Sequence, residues 1–183
     1  MNKYLFGVVL TFFSCNITHA DNNLYWDELS DSSKSEVIKS QKIDLNVMRL
    51  YLHQITLSDD STLTVILDTL CMPTDGNRRM LYFHILNETV RSADGALAEM
   101  IGGYCYKYVQ NNSDYALEYF SKHHDLADEY ITLIATELYY NDSNMTVFKQ
   151  YMHNLVKKEN AKEYLPAFLN AIEQKLNSIK DSY

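Results

Sequence analysis

Residues 93–109, ADGALAEMIGGYCYKYV, decide the fold class. Leu97, Met100, Ile101, Tyr104, Cys105, Tyr108 and Val109 recur at i, i+3, i+4, i+7, i+8, i+11 and i+12. That spacing paints one continuous apolar stripe down an α-helix. It predicts a helix opened by Ser92 as N-cap and stopped at Asn111-Asn112. Gly102-Gly103 sits inside this helix and should weaken it, since glycine is a poor helix former. A close approach by a neighbouring helix or a kink accounts for the pair most simply. A break lining a pocket is the functional alternative.

The same grammar runs outward in both directions. Leu63, Ile66, Leu67, Leu70 and Cys71 form a stripe between Ser58-Asp59-Asp60 and Met72-Pro73-Thr74-Asp75-Gly76. Met80 to Val90 reads as a helix, and Ile43, Val47, Leu50, Tyr51 and Ile55 as an earlier one, with a shorter turn at 36–40. Downstream, Ser113 caps a short helix through Tyr119 and Phe120. Asp125, with Asp128 three residues on, opens another that runs to about Tyr139. Asn144 caps Val147, Phe148, Tyr151, Met152 and Leu155. Leu165, Phe168, Leu169, Ile172, Leu176 and Ile179 build the last helix, with Pro166 read into its first turn.

The expectation is an all-α chain with residues 21–183 as a single domain. About seven to nine short antiparallel helices on short links would form a bundle or an α-solenoid-like stack. Two prolines and five glycines leave too little turn chemistry for a β-sandwich.

Residues 1–20, MNKYLFGVVLTFFSCNITHA, read as a signal peptide. Lys3 precedes an apolar run from Tyr4 to Phe13 that is too short to span a bilayer. Thr18-His19-Ala20 offers small residues at −3 and −1 of a cleavage site. Cleavage after Ala20 makes the protein periplasmic or secreted, from a bacterial source. A lipoprotein anchored at Cys15 is the alternative; there Phe12-Phe13-Ser14 fits the processing pattern only at −1. An uncleaved anchor is a third. Cleavage leaves Cys71 and Cys105, an even count that an oxidising compartment would join as one disulfide. Two buried thiols are the other reading.

The formal net charge of −8 becomes −9 when the leader takes Lys3 with it. Acidic balance excludes nucleic acid as a natural partner, because that needs basic patches. It fits a protein partner of basic charge.

No motif names a reaction. There is no nucleophile elbow and no phosphate loop. His123-His124-Asp125 with Asp128 and Glu129 is the densest ligand-type cluster, but it lacks His-Glu-x-x-His spacing. A solvated helix entry explains it, so no metal, cofactor or catalytic residue is assigned. His84 and Glu88, four apart, read as surface support, and His53 as a helix-end charge. Tyrosine carries more signal, with fifteen in the chain. Tyr106 falls off the apolar stripe, and Tyr139 and Tyr140 end a helix. These three are the candidate binding residues, since tyrosine suits packing and interfaces alike.

The sequence therefore points to a non-catalytic, exported protein-binding module. An inhibitor or immunity-type protein acting on a cell-envelope enzyme is one concrete form. A small metal- or carboxylate-dependent envelope hydrolase is one alternative. A structural or accessory envelope protein with a helical-repeat surface is the other.

Overall fold

The 93–109 stripe becomes helix α5 (Gly95–Asn111), burying Leu97, Ile101, Cys105, Tyr108 and Val109. The structure, a computed structural model, describes residues 25–58, 60–74 and 76–182. The leader, its cleavage site at Ala20 and Cys15 lie outside the described residues. After a 3-10 turn (Trp26–Glu28) come α1 (Asp31–Ser40), α2 (Leu45–Tyr51), α3 (Ser61–Leu70) and α4 (Gly76–Ser92). Beyond α5 follow α6 (Ser113–Phe120), α7 (His124–Tyr140), α8 (Met145–Leu155) and α9 (Glu159–Lys180). All regular structure among the described residues is helical, so the chain is all-α. No helix there is long and apolar enough to cross a membrane.

Local chemistry places several boundaries. Asp60 Oδ1 accepts from the amides of Thr62 and Leu63 at 2.8 and 3.0 Å and starts α3. Asp44 opens α2 in the same way, and Asn144 opens α8. Asp114 of α6 works at a distance: its Oδ1 accepts from the amides of Lys157 and Lys158 at 2.7 and 3.0 Å. That bond fastens the α8–α9 link to the middle of the chain.

Several boundaries differ from the sequence reading. The turn read at 36–40 is the end of α1, Ile43 precedes α2, α4 starts at Gly76, and Ser113 is already helical behind Asn112. Ser92 does not cap α5; α4 is still helical there and Asp94 takes the N-cap position. Asp125 lies inside the first turn of α7, behind His123. Ile55 is past the end of α2, which stops at Tyr51 and closes with His53 in the left-handed region (φ 54°). There the Gln54 amide reaches the Arg49 carbonyl at 2.8 Å and the His53 amide that of Leu50 at 3.0 Å, a Schellman closure. Pro166 is well inside α9, because the helix already starts at Glu159.

The core is one cluster that draws on all nine of these helices. α7 packs along both α5 and α9, and α9 reaches back to α6. In a solenoid each repeat touches only its sequence neighbours. Here distant segments share one interior, so the fold is a helical bundle. Phe83 is its hub: Tyr108 stacks on it at 4.7 Å, while Tyr119, Tyr115 and Phe120 surround it at 5.0–6.0 Å. Burying one such ring is worth about 1.5–3 kcal/mol, and aromatic pairing adds to that. The Tyr130 hydroxyl donates to Asn87 Oδ1 at 2.8 Å in the interior, satisfying both polar groups. Much of the tyrosine content is thus core.

The expected Cys71–Cys105 disulfide is not formed; both cysteines are free and buried. The Cys71 thiol points at the backbone, donating to the Tyr104 carbonyl at 3.3 Å. Burial pushes it up to about 12 and raises Cys105 well above its ordinary value. The two behave as small packed hydrophobes. The glycine pair is a close approach, as the simplest account had it. A Cβ on Gly102 would meet the Leu133 carbonyl oxygen of α7 at 2.9 Å.

Candidate functional site

Of the three tyrosines singled out from sequence, Tyr139 and Tyr140 end α7, whereas Tyr106 lies on α5. Tyr140 is 65% exposed. Tyr139 is half-buried, its ring meeting that of Tyr140 edge-on at 5.4 Å. Tyr106 is half-buried as well, lying over Phe148 of α8 at 5.0 Å. Its phenol is raised by that burial first, and then by nearby groups that include Tyr151 and Glu137. Glu137 also lines a shallow surface depression with Glu99, Thr136, Tyr140 and Asn141.

Sequence reasoning missed two further exposed apolar side chains, both on α8. Val147 and Tyr151, four apart on α8, are 60% and 45% exposed. They share the apolar period of α8 with Phe148 and Met152, yet only the latter two are buried. Helical periodicity marks an apolar face and cannot say that part of that face stays uncovered. The turn after α7 sets the presentation. Asn141 Nδ2 donates to Glu137 Oε1 at 2.6 Å, and Asp142 sits in the left-handed region (φ 46°). The Ser143 amide then reaches the Leu138 carbonyl at 2.9 Å and closes the helix. Desolvation raises the Glu137 carboxyl.

The histidine cluster does not converge on a common point. His123 stacks on Tyr119 at 4.0 Å and meets Tyr25 edge-on at 6.1 Å. His124 instead faces Tyr164 at 6.3 Å. Among the described residues no group of three or more His, Cys, Asp or Glu is arranged to hold a metal.

His84 is the larger surprise. It is no surface residue of an i, i+4 pair. Glu88 pairs instead with Arg91, at 2.8 Å. The His84 Nδ1 lies 3.1 Å from Asp27 Oδ1 of the 3-10 turn, and its ring packs against Trp26 and Tyr51 at 5.9 and 6.2 Å. Desolvation lowers its basicity from the ordinary 6.5, more than Asp27 restores. The partnership is invisible in sequence because Asp27 is 57 positions away, in a segment with no helical period.

No known protein family, curated protein or solved structure matches this chain.

Proposed function

We propose that residues 1–20 export this protein and that it works in the bacterial periplasm or outside the cell. There it acts as a non-catalytic module that binds another protein. The observation that carries the reading is a set of large apolar side chains left exposed on α7 and α8: Tyr140, Val147 and Tyr151. Tyr139 meets Tyr140 edge-on, and Glu99 and Glu137 line a depression beside Tyr140. Exposed aromatic anchors with carboxylates beside one of them suit a partner of basic surface. The rings supply contact area, and the carboxylates and the overall charge of −8 steer approach. Inhibition or immunity directed at a cell-envelope enzyme is the form of binding that joins export, acidity and lack of a catalytic motif.

Affinity capture from an envelope extract tests this, using the protein and a Tyr140→Ala, Tyr151→Ala double variant. A basic protein retained by the first and lost by the second is the expected result. Raising salt should slow its association more than it speeds its release. Equal retention by both forms would remove these two side chains from the account. Intact-mass measurement on protein from the native host tests export. A chain beginning at Asp21 is expected, and a lipid-modified Cys15 would overturn simple cleavage.

A further inference from the structure

A second feature lies on other elements. Leu50, Tyr51, Ile55, Leu57 and Ile85 line a hollow of about 160 Å³, together with His53, His84, Glu88, Thr89 and Ser92. The geometry points to a small-ligand site here for a compact amphiphilic amine: an apolar or aromatic body carrying an ammonium group.

Size sets the first limit. The hollow matches the volume that admits a single benzene-sized ring, on the order of 150 Å³. Its aliphatic walls favour an apolar body, and Tyr51 adds an aromatic face. Polarity sets the second. Glu88 is the only one of these lining residues with a carboxylate, ammonium or guanidinium group. One of its oxygens holds Arg91 in a half-exposed pair, which is weak and leaves the other oxygen available. His84 adds an imidazole to the lining, with its Nδ1 3.1 Å from Asp27 Oδ1. Burial favours its neutral form, which has one acceptor nitrogen. An ammonium group is the ligand end that satisfies a carboxylate, an imidazole lone pair and an aromatic face at once.

His53 lines the hollow from the left-handed turn that closes α2. The α2–α3 loop thereby sets His53, Ile55 and Leu57 against α4.

The protein contains its own reporter. Trp26 is the only tryptophan, 2% exposed, with its ring 5.9 Å from that of His84. Phenethylamine titrated into the purified protein should change Trp26 fluorescence saturably. Half-saturation is expected at roughly 0.1–1 mM, the range for a ligand of about nine non-hydrogen atoms. Phenylacetate has the same ring and the opposite charge, and should bind at least about tenfold more weakly. His84→Phe keeps a ring but removes the acceptor, and should weaken phenethylamine about tenfold. Glu88 is on the surface, so Glu88→Gln keeps the fold and carries the test if His84→Phe does not fold. It should weaken the amine severalfold and narrow the preference over phenylacetate. Absence of a saturable change up to about 10 mM would overturn the proposal. Equal affinity for the two probes, or an unaltered Glu88→Gln, would do the same.

Discussion

Gly102 of α5 stands so close to Leu133 of α7 that a methyl group on it would lie 2.9 Å from the Leu133 carbonyl oxygen. At Gly103 the nearest obstacle is different: the Glu137 carboxylate, 3.2 Å away at the end of a flexible side chain. The same substitution at these neighbours should therefore change stability in opposite directions. Gly102→Ala must move helix backbone, costing about 1–3 kcal/mol against about 1 kcal/mol gained in helix propensity. A net loss is expected. Gly103→Ala needs only a side-chain shift and should gain about 0.5–1 kcal/mol. Urea unfolding midpoints at constant slope compare the two. A stabilised Gly102→Ala would contradict this contact.

Pro166 sits inside α9, exposed to solvent. Its ring nitrogen has no hydrogen for the Lys162 carbonyl one turn earlier. Pro166→Ala restores that bond and loses no packing. Part of the gain is offset because proline also restrains the unfolded chain. A net gain of about 1–2 kcal/mol is expected, seen as a melting temperature several degrees higher. An unchanged or lower value would mean that α9 needs the interruption.

Cys71 and Cys105 are buried thiols, with Cys71 pushed up to about 12. In the chain that starts at Asp21, a thiol reagent at neutral pH should find almost no reaction in the folded protein, and two equivalents once denaturant is added without reductant. Two free thiols on denaturation separate this structure from a disulfide-bonded one, which would release none.

His84 titrates against its surroundings. Asp27 from the 3-10 turn and Glu88 from α4 favour its charged form; Lys34 of α1, Arg91 of α4 and, above all, burial oppose it. Folding thus lowers its basicity below the ordinary 6.5, so below that pH the unfolded chain binds the proton more readily. The stability held by neutral His84 is complete above about 6.5 and is lost as pH falls through the lower, folded value. Melting temperature measured from pH 7.5 to 5 should decline, and His84→Phe should decline less steeply. Parallel slopes for the two proteins would assign the decline to other groups.

Several parts of this molecule were legible from the chain alone. Helix identity was, because a 3.6-residue apolar period such as Leu97 to Val109 has one regular solution. Side-chain caps were too, where Asp60 and Asn144 act on amides two and three residues away. Both signals are local. The mistaken boundaries fell where two local signals overlapped, as at Ser92, which could end one helix or begin the next.

Tertiary structure decided what depends on which faces meet. Tyr108, Tyr115 and Tyr119 became core around Phe83, whereas Tyr140 and Tyr151 stayed outside. All are tyrosines on helices, and only the packing of α4, α5 and α6 separates them. His84 and Asp27 joined across 57 positions because the 3-10 turn folds Trp26 into the bundle. Cys71 and Cys105 are packed as separate buried thiols, with Cys71 donating to the Tyr104 carbonyl. A period of 3.6 residues fixes the direction of a side chain from its own helix axis, while the place of that axis among its neighbours is set only when distant apolar stripes are buried together.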